Sequence, residues 1–342
     1  MSATSPMGRN VLRRRVTGVA ALAIALGGLA LSRRSTAPAL IPQKLSIALP
    51  QAPHAALIHL ADATGLFATY GLTVSVLPQI HGKAALAEVV RGSADLAAAA
   101  DVPLVVEVLK GSPLSIVAAV ANASNELAVI GRRDRGITSP ADLRQRRVGV
   151  TLGTSAEYFL WAFMVRYRLP PQSLALIDLP PSLLVEALRD GTVDAIAAWQ
   201  PVRNEAEQSL SGAATLFTAP DAYPQKYSVV AHKDLLSSRP ESLRRLLLAL
   251  LEAEAFAEEF PVRAKTLLAE RLRLTPAAMD PAWQALDLGV SQQQDQMVTL
   301  EDIATWAMSR GYAPKQSMPN FLTHVGLDPL LAVRADRVTV AR

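Results

Sequence analysis

Residues 189–201, RDGTVDAIAAWQP, repeat a pattern that the chain already contains at residues 91–103, RGSADLAAAADVP. In both places a glycine, Gly92 or Gly191, ends a segment with helical spacing, as glycine commonly does at a helix C-terminus. A hydroxyl residue, one further residue and an aspartate then lead into an uninterrupted apolar run, which is typical of a strand buried on both faces. The sequence therefore predicts two equivalent helix–strand units.

Each predicted strand ends in residues that can contact a ligand. The first ends at Asp101, and the second ends at Trp199 and Gln200. Open α/β sheets bind ligands in the crevice outside the carboxyl ends of their strands. If the two units lie in two separate lobes, we expect both strand ends to face one shared crevice.

Length, composition and charge limit the classes of protein to which the chain can belong. The chain has 342 residues, of which 50% are hydrophobic and 19% are charged, so it can bury a large core and is predicted to form two domains. Residues 1–40 contain six arginines and no acidic residue, which leaves 28 of the 34 basic residues to balance all 30 acidic ones. The net charge of +4 thus belongs to the first 40 residues, and we predict no nucleic-acid partner.

Residues 1–40 are predicted to be an export signal and spacer. Arginines stand before and after the uncharged run VTGVAALAIALGGLAL, residues 16–31. This run is shorter than the roughly 20 apolar residues that cross a bilayer, so we predict a removed signal, with an uncleaved membrane anchor as the alternative. The chain has no cysteine, which excludes disulfides and a cysteine-linked lipid anchor. Export without disulfides suits the bacterial periplasm.

Strand-like and helix-like segments alternate along most of the remaining chain. Strands are predicted at KLSIALP, LTVSVLP, ADLAAAA and LSIVAAVA, and in a second series at RVGVTLG, LALIDLP and VDAIAAW. One helix is predicted over ALIHLADATGLF, ending near Gly71, and others begin at Lys83, Ser155 and Ser182. This alternation predicts an α/β fold with mostly parallel sheets flanked by helices. From about Pro240 the pattern is mostly helical, and its amphipathic helix ESLRRLLLALLEAEAFAEEF is expected to pack on lobe one.

Five segments, in this order, resemble one family of binding proteins. They are LADATGLFATYGLTVSVL, VVRGSADLAAAADVPLV, ITSPADLRQRRVGVTLGTSAEYFL, LVEALRDGTVDAIAAWQP and GLDPLLAVRADRVTV. Over about residues 44–340 the chain resembles the extracytoplasmic solute-binding proteins of the nitrate, taurine and alkanesulfonate type, including thiamine-precursor-like members, which serve ABC importers.

The resemblance implies a type II periplasmic binding protein fold, with two α/β lobes joined by a two-strand hinge. Lobe one would comprise residues 44–128 plus 229–342, and lobe two would comprise residues 129–228. It implies a periplasmic, monomeric receptor that closes on a small polar ligand, anionic or zwitterionic, such as a sulfonate or nitrate. The receptor would deliver this ligand to an ABC permease in the inner membrane, without a cofactor.

Lobe two carries the sharpest candidates for ligand contact. Thr154 and Ser155 follow a glycine at the start of a predicted helix, where hydroxyls, free amides and the helix dipole can bind an anion. An ordinary helix cap is the alternative, and the resemblance favours the ligand contact. Glu157 is either a solvated or capping carboxylate, or it faces the crevice and favours ligands with donor or cationic groups. Trp199 can lie along a ligand and Gln200 can donate and accept, although a packing role for Trp199 is equally open.

Lobe one offers further candidates at its own strand ends. Gln51 and His54 lie in the loop after the first predicted strand, where an ordinary surface position is the alternative for His54. Asp101 contacts the ligand or caps the helix that follows it. Tyr227 lies near the return of the chain to lobe one, where it reaches the ligand or packs in the core.

Catalysis and metal binding have little support in the sequence. There is no cysteine, GTSAE lacks the second glycine of a nucleophile elbow, and no glycine-rich phosphate loop occurs. The histidines His54, His59 and His81 lack the i, i+4 spacing of a helical metal site, so no metal is predicted. The alternatives to a receptor are an enzyme of the same fold acting on a small heterocycle or thiamine precursor, and a membrane-anchored solute sensor.

The leader generates the first testable prediction. Because its apolar run is short for a membrane span, the mature chain is expected to begin between about Leu31 and Leu40. Intact-mass measurement of the native protein checks this start. An unprocessed N-terminus in the membrane fraction would instead establish the anchor.

Overall fold

The computed structural model describes residues 41–123, 125–170 and 172–341. The predicted export signal therefore lies outside the described residues. Within the described ranges, the strands are β1 (Gln43–Pro50), β2 (Leu72–Gln79), β3 (Leu96–Ala100), β4 (Leu114–Ala123), β5 (Ala128–Arg132), β6 (Arg147–Val150), β7 (Ala175–Asp178), β8 (Ala195–Ala198), β9 (Ala214–Phe217), β10 (Gln225–His232) and β11 (Leu286–Ser291).

These strands form two separate sheets. The first has the order β11-β4-β10-β3-β1-β2, and the second has the order β7-β6-β8-β5-β9. The chain leaves the first sheet between β4 and β5 and returns to it between β9 and β10. Two chain segments therefore connect the sheets.

Most strands of each sheet run in one direction, as the alternation predicted. β1 pairs in parallel with β2 and β3, and β6 pairs in parallel with β7 and β8. The alternation did not predict the antiparallel members: β10 lies antiparallel between β3 and β4, β11 is antiparallel to β4, and β5 is antiparallel to β8 and β9. These are mixed sheets, because the strands that enter each sheet from the connecting segments run against their neighbours.

The helices lie between and after the strands. They are α1 (Ala56–Ala63), α2 (Leu66–Thr69), α3 (Gly82–Val90), α4 (Asp101–Leu109), α5 (Ser155–Arg166), α6 (Pro181–Asp190), α7 (Val202–Ser209), α8 (Lys233–Ser238), α9 (Pro240–Glu259), α10 (Pro261–Leu272), α11 (Pro276–Gln284), α12 (Gln294–Ser309) and α13 (Leu327–Arg334). Short 3-10 helices occur as well, the first of them over Pro53–Ala55.

The two repeated units are structurally equivalent. In the first, α3 leads into β3, and in the second, α6 leads into β8. Asp95 accepts hydrogen bonds from the backbone N–H of Ser46 at 2.7 Å and from its hydroxyl at 3.0 Å. Asp194 accepts from the backbone N–H of Arg147 at 3.0 Å and pairs with its guanidinium at 3.1 Å. Each repeated aspartate therefore holds the neighbouring parallel strand, β1 or β6, at the amino end of the strand pair.

Two features of the fold differ from the sequence-based expectation. The single helix predicted to end near Gly71 is broken into α1 and α2, and Gly65 between them has φ +75°. β11 lies in the region that was predicted to be mostly helical. Its pairing with β4, including Leu286 opposite Ala123, connects residues far apart in sequence, which a local pattern cannot reveal.

The core connects the sheets through packed helices. α9 packs on α1 and on β11, which confirms the expectation that this helix lies on the first sheet. α12 packs on α4, and its Trp306 meets Tyr158 of α5 edge-on at 5.2 Å between ring centroids. Aromatic packing thus joins the helices of the two sheets. In the described part of the chain, no helix has the length and apolar character needed to span a membrane.

The Asp194 contacts generate a prediction for stability. Burial alone would raise the pKa of this carboxyl, but hydrogen bonds from Arg147 and Arg135 lower it to about 2. Asp194→Asn should therefore lower the free energy of unfolding at pH 7 by about 1–3 kcal/mol. Because the folded pKa lies below the unfolded value of about 3.9, this stabilisation is present above pH 4 or so and disappears as the pH falls toward 2. Urea unfolding across this pH range measures the difference.

Asp221→Asn is the control for this prediction. The side chain of Asp221 is 78% exposed and lies 3.6 Å from Arg166, so its replacement should change stability by less than about 0.5 kcal/mol. Equal losses in the two variants, or a loss for Asp194→Asn that does not shrink at low pH, would contradict the proposed role of the carboxylate.

Candidate ligand-binding site

A pocket lies at the carboxyl ends of the two repeated strands. It is partly open to solvent, and the space between its walls, including this open part, is about 350 Å³. Ala100, the last residue of β3, and Trp199, which directly follows β8, both line it, as the repeat predicted. The full lining is His54, His81, Gly82, Lys83, Ala100, Pro103, Thr154, Ser155, Trp199, Gln225 and Tyr227.

Three helices begin at this pocket. α3 starts at Gly82, α4 starts at Asp101 and places Pro103 in the lining, and α5 starts at Ser155. The first turn of a helix leaves backbone N–H groups without intrahelical partners, and the helix dipole makes this end positive. The convergence of three such ends favours a ligand that carries an oxyanion.

An aromatic stack forms one wall of the pocket. The rings of His54 and Tyr227 lie 4.0 Å apart between centroids and only 6° from parallel. The Tyr227 hydroxyl donates to Oε2 of Glu126 at 2.6 Å, and Glu126 is buried. Burial, followed by the neighbouring Glu126 carboxylate, raises the pKa of Tyr227 well above its ordinary value. The tyrosine is therefore held as a neutral hydrogen-bond donor.

Ser155 and Gln225 form a polar contact across the pocket. Nε2 of Gln225 donates to Oγ of Ser155 at 3.0 Å, so the serine hydroxyl keeps its own hydrogen for another acceptor. Oε1 of Gln225 is buried and has no hydrogen-bond partner among the described residues. Both side chains thus have unused hydrogen-bonding capacity where they line the pocket.

Two further residues of the pocket lie at helix starts. Thr154 lies at the start of α5, and His81 lies at the start of α3. Thr154 occupies the N-cap position of α5, but its hydroxyl donates to the carbonyl of Thr151 at 2.6 Å rather than capping a helix amide. The alternative of a capping side chain is therefore wrong for Thr154, although the residue does occupy the N-cap position. Nδ1 of His81 accepts from the N–H of Ala84 at 3.0 Å, and burial lowers the pKa of this imidazole, so it serves as a neutral cap for α3.

Five of the nine predicted site residues line the pocket, and four do not. His54, Thr154, Ser155, Trp199 and Tyr227 belong to the first group. The residues outside the lining are Gln51, Asp101, Glu157 and Gln200. Gln51 is exposed, with Nε2 3.4 Å from the carbonyl of Leu49, and the buried Gln200 accepts from the N–H of Asn204 at 3.3 Å.

Asp101 joins three elements behind the pocket. Ala100, not Asp101, occupies the N-cap position of α4, so the capping alternative for Asp101 is wrong. Its carboxylate accepts from the N–H of Lys226 in β10 at 2.9 Å and from Nε2 of Gln296 in α12 at 2.8 Å. Burial raises the pKa of Asp101 to about 6, although these hydrogen bonds oppose the shift.

Glu157 is buried, which contradicts the expectation of a solvated carboxylate. It accepts hydrogen bonds from the N–H of Gly153 at 2.7 Å and from the Tyr312 hydroxyl. Its carboxylate also lies 3.5 Å from the guanidinium of Arg310. Tyr312 and Arg310 follow α12, which packs on α4 beside the first sheet, whereas Glu157 belongs to α5 beside the second sheet. Its carboxylate therefore connects the two halves of the structure outside the pocket.

Two polar residues of the pocket, Lys83 and Gln225, were not predicted from the sequence. Lys83 at the start of α3 is exposed, and its Nζ donates to the carbonyl of Leu152 at 3.1 Å, across the crevice. The sequence did predict a helix that begins at Lys83 after a strand. This helix start was the signal that could have identified Lys83 as a pocket residue. Gln225 gave no such signal, because its place depends on how β10 inserts between β3 and β4.

The fold and this inter-sheet pocket define a two-sheet α/β protein, and comparison with known proteins identifies its family. The NMT1/THI5-like family model matches residues 52–264, so the chain belongs to that family. This membership confirms the resemblance predicted from the sequence.

Individual relatives agree with the family and the fold. A candidate binding protein of Brucella abortus (strain 2308) is 25% identical over 148 residues, which cover 42% of this chain and 46% of that protein. The chain thus matches about half the length of the curated relatives. The alkanesulfonate-binding protein SsuA from Xanthomonas axonopodis pv. citri, bound to MOPS, has a TM-score of 0.71 and 18% identity, covering 89% of this chain and 100% of that one. The nitrate-binding protein NrtA from Synechocystis has a TM-score of 0.65 and 16% identity, and the match covers 86% of this chain and 91% of that one. The structural matches confirm the predicted periplasmic binding protein fold.

The contacts of Glu157 generate a prediction. Glu157→Gln keeps the size of the side chain but replaces one acceptor oxygen with a donor amide that faces N–H and O–H donors. We expect the free energy of unfolding to fall by about 1–3 kcal/mol, since buried donors lose a charged acceptor. Chemical denaturation at pH 7 measures this, and Glu186→Gln on the exposed face of α6 is the control, with an expected change below about 0.5 kcal/mol. Equal stability of native protein and Glu157→Gln would refute the connecting role.

Proposed function

We propose that the protein is an extracytoplasmic solute-binding receptor that closes on a small polar ligand with an oxyanion and delivers it to an ABC importer. The observation that carries this proposal is the pocket between the two sheets, where three helix N-termini meet buried polar groups with unused hydrogen bonds. The binding-protein names of the relatives and of the structural neighbours support the same class of function.

The receptor is proposed to work as two lobes. The predicted division is residues 44–128 plus 229–342 for lobe one and residues 129–228 for lobe two, with the two connecting segments as the hinge. The strands move each boundary slightly, because β5 already begins at Ala128 in the second sheet and β10 already begins at Gln225 in the first sheet. Lys83 contacts Leu152 across the crevice, and Glu157 meets Tyr312, so contacts of this kind distinguish a closed arrangement from an open one. A ligand that binds both lobes would favour closure by its differential affinity for the closed state.

Each pocket residue has a proposed part in binding. Ser155 and the first amides of α5 hold the oxyanion, Trp199 covers the body of the ligand, and His54 with Tyr227 forms the opposite wall. Gln51, Asp101, Glu157 and Gln200 are proposed to shape the surroundings rather than contact the ligand, since none of them lines the pocket.

The surroundings of the receptor are proposals from the leader and the family. The chain would be exported, cleaved and released into the periplasm as a monomer, and its partner would be the membrane permease of an ABC importer. We propose no catalytic step, because the hydroxyl of Ser155, which lines the pocket, accepts a hydrogen bond from the amide of Gln225 rather than contacting a general base. Among the described residues, no cluster of three or more histidine and acidic side chains could hold a metal ion.

A thermal-shift screen tests the receptor function. Sulfonates, carboxylates, nitrate and pyrimidines are added separately, and a ligand that binds only the folded state stabilises it by about 2.7 kcal/mol at a hundredfold excess over its Kd. This corresponds to a rise in Tm on the order of 5 to 10 °C for a chain of this length. Ser155→Ala should weaken the binding of the hit by about 1–3 kcal/mol because the oxyanion loses a hydroxyl donor.

Ser182→Ala is the matched control, because Ser182 is an exposed serine in the first turn of α6, away from the pocket. It should leave the affinity unchanged. Unaltered affinity in Ser155→Ala, combined with a lower Tm without ligand, would assign Ser155 to helix stability. A screen with no hit in any ligand class would refute the receptor proposal.

A further inference from the structure

His54 and Glu126 are buried beside the pocket with unpaired polar atoms. His54 is 5% exposed and Glu126 is 2% exposed. Neither ring nitrogen of His54, nor Oε1 of Glu126, has a hydrogen-bond partner in the described ranges of the chain. Nδ1 of His54 lies 3.8 Å from this Oε1, beyond hydrogen-bond distance. Buried groups of this kind are rare in folded proteins and call for a physical reason.

The surroundings hold the two groups in this arrangement. The His54 ring is stacked on Tyr227, and the Tyr227 hydroxyl binds the other carboxylate oxygen of Glu126. The stack fixes the plane of the imidazole, and the hydroxyl fixes the carboxylate. His54 therefore lies beside the Glu126 carboxylate and also lines the pocket.

The pocket offers little permanent positive charge to an anion. Among the described lining residues, Lys83 is the one lysine and there is no arginine. Lys83 is exposed at the rim and already donates to the carbonyl of Leu152. His81 is held neutral by burial, as its lowered pKa shows, and caps α3. A buried anion would also experience the nearby Glu126 carboxylate, which disfavours it unless a positive charge stands between them.

We propose that His54 determines specificity for anions by taking up one proton from solvent when the ligand binds. This inference rests on the proposed receptor function and deepens it. In the complex, one ring N–H of the imidazolium donates to the ligand oxyanion and the other donates to Oε1 of Glu126. Both unpaired groups thereby gain partners, and one positive charge lies between two negative ones.

Other titratable groups near His54 do not replace it in this role. They are His59 in α1, Asp101 in α4, Glu126 after β4, Arg203 in α7, Tyr223 before β10 and Tyr227 in β10. Burial lowers the pKa of His59 to about 4, and its Nε2 contacts the carbonyl of Pro50. α11, which also packs on the His54 segment, carries Asp280, bound to Lys265. Asp101 has a pKa of about 6 and shares the relevant pH range, so the experiment must identify the group that is protonated.

Proton uptake makes affinity depend on pH in a defined direction. The ligand favours the protonated imidazole, so the apparent affinity should be greatest at low pH. It should weaken about tenfold per pH unit over the range in which the free protein has lost the proton and the complex still holds it.

Calorimetry and histidine NMR on the full chain test the proposal together. Nitrate, methanesulfonate, acetate and a neutral pyrimidine are titrated between about pH 5 and 8 in two buffers of different ionisation enthalpy, neither of them a sulfonate. For a bound anion, the buffer dependence of the heat should show uptake of about one proton per ligand. The chain has only five histidines, so their ring signals can be followed individually, and the signal of His54 should move to its protonated position on binding.

Three variants assign the effect. His54→Asn keeps hydrogen-bonding groups but cannot be protonated, so it should abolish the proton uptake and the pH dependence of binding. Glu126→Gln removes the neighbouring negative charge and should move the loss of affinity to lower pH. His232→Asn is the control, because His232 is 40% exposed at the far end of β10 and should retain the uptake.

Each outcome decides between the alternatives. Anion binding with proton uptake and a protonated His54 signal in the native protein supports the inference, even if His54→Asn fails to fold. Binding without uptake, uptake that leaves the His54 signal unchanged, or binding of the neutral pyrimidine alone overturns the inference and leaves the receptor function standing. If no probe binds at any pH, the receptor function itself fails, and the inference fails with it.

Discussion

A carboxylate at the start of each repeated strand organises the whole structure. Asp95 holds the backbone of β1, and Asp194 holds the backbone of β6, in both cases at the amino end of a parallel pair. Register at this end fixes where the strands finish at the other end, because parallel neighbours advance together. The residues that follow the two repeated strands are thereby brought to one pocket, although almost a hundred positions separate them in sequence.

The pocket combines helix ends with side chains whose hydrogen-bonding capacity is not used up within the protein. Ser155 keeps a hydroxyl hydrogen, Gln225 keeps a carbonyl oxygen, and His54 keeps both ring nitrogens. Leaving buried polar groups unpaired costs free energy, and a ligand that pairs with them recovers it on binding. Such an arrangement favours a polar ligand over an apolar one of the same size.

Three buried carboxylates lie near this region, and each one has its own set of hydrogen-bond donors. Asp101 receives N–H donors from β10 and α12, Glu157 receives donors from its own loop and from the segment after α12, and Glu126 receives the Tyr227 hydroxyl. Asp101 and Glu157 have two donors or more, which compensates their burial. Glu126 keeps one oxygen free, which distinguishes it as the carboxylate that can respond to a change of charge in the pocket.

The sequence by itself determined the parts of the structure that depend on local pattern. Alternating strands and helices, the two repeated units, the helix starts at Ser155 and near Lys83, and the place of Trp199 at a strand end all follow from residues close together in the chain. Only the tertiary structure decided the antiparallel insertion of β10, the strand β11 and the burial of Glu157. Each of these depends on contacts between distant segments, whose geometry leaves no periodic signal in the sequence. The same reason explains why the sequence could name His54 and Tyr227 but not their stacking above Glu126.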